Sequence, residues 1–298
     1  MKNVLRILVA SGVAIALLIA PFVPAVPDYW IVLLNYVGIA SLISIGLVVL
    51  TGVGGMTSLG QAALAGCGAY TSAVVSLHLG MSPWLALPVC LAVTGVIAFV
   101  VGIVTVNLSG HFLPLCTLAW GMAMFYLFGN SSWLGAYEGL SGIPPLQIGS
   151  RVLSDPRDYF VLVWIAVVVT VFISNNLLNG RTGRAIRSLR QGTEAAEAFG
   201  VPIATTKLQV FVYCALLAGL SGWLYAYFQR AISPGPFGIE AGIEYLLMAV
   251  VGGSGRIFGG ILGAAGVSIL REMEASQSKQ PSNNINNDKN DDASENTY

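Results

Sequence analysis

The most prominent pattern in the sequence is a series of apolar runs long enough to cross a lipid bilayer. No Asp, Glu, Lys or Arg occurs anywhere from Tyr29 to Tyr137. About 20 apolar residues in a helix span the hydrocarbon core, and backbone groups in lipid must bond within their own segment. The predicted spans are Ile7–Ala20, Trp30–Leu50, Ala62–Leu79, Trp84–Val106, Phe112–Phe128, Tyr159–Leu178 and Leu208–Phe228, with a half-helix at Ile243–Val251 and a short or broken span at Ile257–Leu270.

This pattern predicts an all-α, polytopic integral membrane protein with about 8 transmembrane or broken helices. We expect one membrane domain over residues 1–270 and a disordered polar tail over 271–298, where Ser, Asn and Asp dominate. The first apolar segment lacks a small-x-small cleavage pattern, which favours an uncleaved span over a cleaved signal peptide. The tail fits either a natural polar end or a truncated or frame-shifted reading frame.

Composition excludes several classes of function. Hydrophobic residues make up 55% of the chain and charged residues 9%, and the net charge of zero argues against nucleic acid as a partner. The four cysteines lie in apolar runs without CxxC spacing, and neither histidine has a second ligand at metal-binding spacing. No Gly-x-x-x-x-Gly-Lys-Ser/Thr stretch is present. We therefore predict no cofactor, no metal, no catalytic residue and no ATP hydrolysis by this chain.

One strongly charged segment, residues 179–207, interrupts the apolar pattern. It carries five of the fourteen Lys and Arg residues against two acids, whereas residues 129–158 carry two Arg against three acids. Since Lys and Arg beside membrane spans collect in the cytoplasm, we expect 179–207 inside the cell and 129–158 outside. Gly192-Thr193 predicts the end of one helix and the start of a short second one, which Gly200 and Pro202 end.

Two glycine-rich stretches interrupt the apolar runs, at residues 52–60 and 252–260. Glycine weakens a helix interior, and bare backbone at membrane depth requires cover from protein or a water-filled path. The first stretch is either a loop outside the bilayer or a break in a span beside a transport path. Breaks in both halves of a transporter can mark a path near the middle of the membrane.

The ordered motifs resemble those of the branched-chain amino-acid ABC transporter permeases. The resemblance covers roughly Ile39 to Leu270. It rests on the segments 184–190 (RAIRSLR), 194–200 (EAAEAFG), 218–225 (AGLSGWLY), 251–255 (VGGSG), 54–63 (GGMTSLGQAA) and 66–71 (GCGAYT), together with Ser233-Pro234, Phe237-Gly238 and Glu244. Family members often carry histidine where Gln61 stands, and they usually continue with apolar sequence where the polar tail begins here.

This resemblance implies a permease domain over 1–270 that imports branched-chain amino acids across the bacterial inner membrane. It also implies a second permease subunit, two cytoplasmic ABC ATPases and an extracytoplasmic substrate-binding protein as partners. The implied ATPase-coupling residues, within 179–207, are Arg184, Arg187, Glu194, Ala195, Ala196, Glu197, Ala198, Phe199 and Gly200. The residues expected along the translocation path are Gly54, Gly55, Ser58, Gly60, Gln61, Glu244, Gly252 and Gly253.

Other functions stay open at this point. The same class of transporter can carry urea, short amides or aromatic acids. An independent secondary carrier is disfavoured, because the spans before Tyr159 contain no ionisable acid or base of the kind that couples transport to ions. An intramembrane serine protease is disfavoured because both histidines precede Ser141 of the first Gly-Leu-Ser-Gly motif.

Overall fold

The computed structural model describes residues 27–106, 112–149, 151–153, 155–198, 200–253 and 255–274. Over these residues the chain is a helical bundle, and five of the described helices are long and apolar enough to cross a membrane. The predicted all-α polytopic membrane fold is confirmed. The predicted first span and the predicted polar tail beyond residue 274 lie outside the described residues.

The helices follow the predicted apolar runs, with shifted ends. They are α1 (Asp28–Leu47), α2 (Gln61–Leu77), α3 (Pro83–Val106), α4 (Phe112–Asn130), α5 (Pro156–Asn179), α6 (Arg181–Gln191), α7 (Thr193–Ala198), α8 (Ile203–Gln229) and α9 (Ile239–Val251). A further helix, α10, covers residues 257–274. The helix α8 starts before the predicted Leu208, α9 starts at Ile239 rather than Ile243, and α10 continues past Leu270.

The helix α1 forms the centre of the bundle. Of its most apolar stretch 78% is buried inside the protein, against 28% for α3 and 33% for α4 and α5. It packs against α5, α8 and α9, while α2 packs against α3 and α8. The apolar outer surfaces of α3, α4 and α5 are therefore the surfaces available to lipid.

Small residues allow the central helices to touch. Gly68 on α2 lies so close to Gly219 on α8 that a Cβ at position 68 would come 2.7 Å from the Gly219 Cα. Gly222, one turn further along α8, leaves no room for a Cβ beside the Ala65 carbonyl. Close backbone approach of this kind replaces the hydrophobic effect as the source of helix association in lipid.

The bundle has two opposite ends, here called the basic face and the loop face. The basic face carries α6 and α7. The loop face carries residues 131–149, 151–153, 155 and 230–238, where four strands of two residues form two small sheets: β1 (Leu140–Ser141) pairs with β4 (Ala231–Ile232), and β2 (Gln147–Ile148) pairs with β3 (Arg151–Val152). The sequence did not predict these strands, because each is too short to show alternation.

Side chains join the helix ends at the loop face. Arg157 at the start of α5 pairs with Asp28 at the start of α1, at 2.9 Å. The Trp84 indole donates to the Gln147 carbonyl at 2.6 Å. Since α1 and α5 both begin here, both run from the loop face toward the basic face.

Candidate translocation and coupling site

The first glycine-rich break begins with an unusual helical turn. After Leu47 the helix continues as a π-helix over Val48–Val53, and the Gly54 amide donates to the Val49 carbonyl at 3.0 Å. Gly55 has a positive φ of 70°, which glycine adopts without steric cost. The Thr51 hydroxyl donates to the Met56 carbonyl at 3.1 Å and closes the turn. Isolated π-turns occur often at functional sites.

Residues 56–60 then return into the bundle without regular secondary structure. The Leu59 amide donates to the Thr117 hydroxyl at 3.1 Å, and Gly60 lies against the backbone of Thr117. Because α4 covers this segment, its bare backbone is tolerated inside a membrane protein. The first break is thus enclosed by protein, as expected for a break within the bundle rather than an external loop.

A buried polar pair lies at the start of α2. Ser58 and Gln61 are each 1% exposed, and the Gln61 amide nitrogen lies 3.5 Å from the Ser58 hydroxyl. The Gln61 amide oxygen has no hydrogen-bond partner in the described structure. An unpaired polar atom in a dry interior is costly, which makes this pair a point where a structural change or a water molecule would be stabilising.

The second break connects α9 and α10. Gly252 packs against Gly259, so that the two helices form a tight hairpin, while Gly253 and Gly255 have positive φ values of 105° and 119°. Glu244 lies apart from this turn and pairs with Arg271 on α10 at 3.1 Å. The helix α9 meets the first break at Gly242, whose neighbour is the Leu59 backbone.

The basic helix α6 is amphipathic. Ile186 and Leu189 are buried, whereas Arg184 and Arg187 are exposed together with Arg181 and Arg190. Arg190 reaches the first break, where its guanidinium donates to the Gly52 carbonyl at 2.6 Å. A Cβ at Gly55 would be 3.4 Å from the Arg190 side chain, which shows that the two residues lie side by side.

The short helix α7 lies next to α6. Gly192 separates the two helices, and Gly200 ends α7 with a positive φ of 77°. The Gly200 amide donates to the Glu197 carbonyl, and the Val201 amide donates to the Ala196 carbonyl, which is the Schellman arrangement. The predicted helix boundaries at Gly192 and Gly200 are confirmed.

The faces of α7 differ in exposure. Ala196 is buried at 3% exposure, whereas Glu197 and Ala198 are exposed. The side chains of Glu194, Ala195 and Phe199 lie outside the described part of the structure. Of the predicted coupling residues, Ala196 therefore packs against the chain itself, and Ala198 is free to meet another protein.

A cavity of about 230 Å³ brings both breaks and the basic helix together. It is lined by Gly52, Val53, Arg187, Arg190 and Gly255. Gly54 is buried and Gly55 is exposed at its edge. The sequence analysis did not predict Arg190 and Gly255 as site residues. The repeat of arginine at every third position from Arg181 to Arg190 was the available signal for Arg190.

Comparison with known proteins identifies the family. The family model described as branched-chain amino acid transport system / permease component matches residues 29–286. The high-affinity branched-chain amino acid transport system permease protein LivM of Salmonella typhimurium and that of Escherichia coli K12 are each 30% identical over 225 residues, which is 67% of this chain and 53% of each relative.

A more distant relative carries a different substrate in its name. The fructose import permease protein FruG of Bifidobacterium longum is 29% identical over 129 residues, which is 41% of this chain and 38% of that protein. This chain spans about half the length of the LivM proteins it matches, and no solved structure matches it. The chain belongs to the family of permease components of branched-chain amino acid transport systems.

Proposed function

We propose that this chain is the membrane subunit of an ATP-driven importer of branched-chain, hydrophobic amino acids in a bacterial inner membrane. It works with a second permease subunit, two cytoplasmic ABC ATPases and an extracytoplasmic binding protein that delivers the substrate. Hydrolysis of ATP belongs to the ATPase partner. The family match supports the class of transporter, and the Arg190–Gly52 bond is the observation that carries the mechanism.

The proposed orientation places the basic face in the cytoplasm. The segment 179–207 carries five basic residues against two acids, and such segments stay on the cytoplasmic side. The loop face is then extracytoplasmic, where a binding protein docks. The helices α1 and α5 run inward in this orientation, and α2 and α8 run outward.

The proposed coupling runs from α7 through α6 to the first break. The ATPase contacts the exposed side of α7 at Ala198, with Arg184 and Arg187 of α6 beside it. A shift of α6 pulls on the Gly52 carbonyl through Arg190, whose bond has a length of 2.6 Å. A charged donor makes this bond stronger than a neutral hydrogen bond. The irregular segment from Gly55 to Gly60 then moves relative to α4.

The proposed path passes the first break. Ser58, Gly60 and Gln61 supply uncharged polar groups and close backbone, and they are buried in the conformation described here. The path opens when this segment moves away from Thr117 and the cavity beside Gly55 and Gly255 connects to it. Glu244, Gly252 and Gly253 contribute through the α9–α10 hairpin, which contacts the first break at Gly242.

Reconstitution of uptake tests the proposal. A strain without branched-chain amino acid uptake would receive this chain with its second permease, ATPases and binding protein, and radiolabelled leucine, urea, phenylacetate and fructose would be offered. We expect ATP-dependent leucine uptake that is lost when this chain alone is omitted. Uptake of another compound instead of leucine would assign that substrate, and no uptake of any of them would contradict the importer function.

Co-purification tests the coupling helix. In Ala198→Arg a bulky charge enters the proposed contact, so we expect the tagged chain to lose its ATPase while it stays monodisperse in detergent. Arg181→Gln is the matched control, because Arg181 is exposed on the same face but lies at the far end of α6. Full ATPase binding and full uptake by Ala198→Arg would show that this side of α7 does not couple the subunits.

A further inference from the structure

A second cavity lies at the loop face, away from the coupling site. It has a volume of about 190 Å³ and is formed by the ends of α1, α5 and α8. A cavity of about 150 Å³ in an engineered protein core holds benzene. The cavity at the loop face is therefore large enough for a small organic molecule, and nothing in the proposed coupling mechanism uses it.

Two opposite charges line this cavity, Asp155 and Arg230. Asp155 precedes α5 at the N-cap position, where a carboxylate usually accepts a bond from the helix, but here its side chain makes no capping bond. Among the described residues, neither Asp155 nor Arg230 takes part in an ion pair. Both side chains thus keep their charge available to a ligand.

The remaining wall combines apolar side chains with the hydroxyl or amide groups of Tyr36, Tyr227 and Gln229. Val32, Leu153 and Phe228 contribute aliphatic and aromatic surface, and the Tyr159 ring lies 5.2 Å from the Phe228 ring. The Tyr159 hydroxyl is occupied, because it donates to the Leu224 carbonyl at 2.7 Å. The ring therefore presents apolar carbon to the cavity rather than a free polar group.

Arg230 is held in a conformation that few side-chain-bearing residues adopt. Its φ is 56°, in the left-handed region. Its amide donates to the Ala226 carbonyl at 2.9 Å, and its carbonyl accepts from the Ile143 amide at 3.1 Å. Arg230 is the C-cap residue of α8, and a left-handed residue is a common way for a helix to end. The bonds on both sides fix the backbone of Arg230 at the cavity, while its side chain is exposed.

We infer that this cavity is an extracytoplasmic binding site for a free amino acid with a medium-sized apolar side chain. Asp155 binds the ammonium group, Arg230 binds the carboxylate, and the wall around Val32, Leu153 and Phe228 takes the side chain. A sugar has no charges to match the pair. The inference rests on the proposed function, because it makes this cavity the place where the permease receives substrate from the binding protein.

The first experiment measures binding to the purified full-length chain in nanodiscs. Leucine is compared with leucinamide, which lacks the carboxylate, and with 4-methylpentanoate, which lacks the ammonium group. We expect leucine to bind at least about tenfold more tightly than either analogue, because each analogue loses one charge-assisted bond. Equal binding of all three, or binding of fructose in place of leucine, would overturn the inference.

Two variants assign the two charges. In Asp155→Asn the preference for leucine over 4-methylpentanoate should disappear, while the preference over leucinamide remains. In Arg230→Gln the preference for leucine over leucinamide should disappear, while the preference over 4-methylpentanoate remains. Arg230→Lys should restore part of the preference over leucinamide. Arg256→Gln is the control, since Arg256 is exposed next to the second break and far from this cavity. A variant that loses all binding without this selective pattern would contradict the assigned roles.

The lipid composition of the nanodiscs tests a competing occupant. A phosphatidylethanolamine headgroup also carries both charges, so binding is repeated in nanodiscs with and without this lipid. Leucine binding that is unchanged between them supports the amino acid site, whereas binding abolished by the lipid would assign the cavity to a headgroup. Uptake measurements separate this inference from the importer function. If Asp155→Asn and Arg230→Gln both take up leucine with the wild-type KM, the binding site is disproved while the importer function stands.

Discussion

The two glycine-rich breaks look alike in the sequence but differ in the structure. The first, at residues 52–60, is covered by α4 and hydrogen-bonded to the basic helix through Arg190. In the second, at residues 252–260, Gly252 and Gly259 pack against each other within the hairpin, whereas Gly253 and Gly255 have no neighbours within 4 Å of an added Cβ. Glycine in the first break packs against a different helix, α4, and in the second it closes the α9–α10 hairpin on itself.

This difference separates two uses of glycine in a membrane protein. At the first break, a side chain in place of Gly60 would push α4 away, because an added Cβ would meet the Thr117 carbonyl. The neighbouring helix therefore restricts this position to glycine. At the second, an added Cβ on Gly252 would meet the Gly259 carbonyl of the same hairpin, whereas only the positive φ restricts Gly253 and Gly255. Both breaks border the cavity lined by Gly52 and Gly255. We expect the first break to move during transport and the second to form a fixed wall of this cavity.

The largest effect is expected from Gly60→Val. An added Cβ would come 2.7 Å from the Thr117 carbonyl oxygen, so the first break could not pack against α4. We expect a loss of about 3 kcal/mol in stability and no measurable uptake, as followed by thermal unfolding in detergent and by leucine transport. Gly266→Val is the control, because a Cβ there meets nothing within 4 Å. Equal stability of the two variants would remove the contrast in packing.

A smaller effect is expected when the hydrogen bond between Arg190 and the first break is removed. Arg190→Ala removes the bond to the Gly52 carbonyl, and we expect about tenfold slower uptake with the ATPase still bound. Arg190→Lys keeps the charge and should recover part of the rate. Arg181→Ala removes another exposed arginine of α6, at the end of the helix away from the break, so its transport rate should stay near wild type. Equal loss in Arg190→Ala and Arg181→Ala would show that the positive charge of α6, and not the bond to Gly52, matters.

Accessibility gives a third contrast between the breaks. Single cysteines at Gly55, Ser58 and Gly253 would be placed in a background without the four native cysteines. We expect cytoplasmic reagents to label positions 55 and 253 at rest, because both are exposed, and to label position 58 only during transport, because Ser58 is buried. Labelling of position 58 at rest would mean that the first break is open without the ATPase cycle.

The smallest effect is expected at Glu244. This side chain pairs with Arg271, which is 74% exposed, and pairs with an exposed partner contribute roughly 0–1 kcal/mol. We expect Glu244→Gln and Arg271→Gln to slow uptake by about twofold each, because both loosen the α9–α10 hairpin in the same way. A much larger loss for Glu244→Gln than for Arg271→Gln would mean that Glu244 acts on the path independently of the pair.

Among the described residues, the sequence predicted the spans and the helix boundaries at Gly192 and Gly200 well. Uncharged runs reveal helices in lipid, and Gly192 and Gly200 end helices through backbone geometry that depends only on local residues. It did not predict the π-helix at Val48–Val53, because nothing in that composition separates π-helical from α-helical bonding. It also did not predict which span is central, because α1 and α3 are both apolar on all sides.

Predictions about the site were limited by tertiary contacts. Ala196 and Ala198 share the small apolar character expected of a docking face, but Ala196 packs inside the chain. The helix α10 extends beyond Leu270 into polar sequence, where Arg271 meets Glu244 from a distant part of the chain. The contact between Arg190 and the first break joins residues 138 positions apart, which no local pattern reveals.

The acceptor in the Arg190 bond is a main-chain carbonyl, and this has a genetic consequence. A side-chain partner can be exchanged for one of opposite charge, but no codon change at position 52 removes or reverses a carbonyl oxygen. Defects caused by substitutions at Arg190 should therefore have no compensating charge swap at Gly52. Revertants selected for growth on leucine should restore an arginine or lysine at position 190, or reposition the carbonyl through the residues of the π-turn, Val48–Val53.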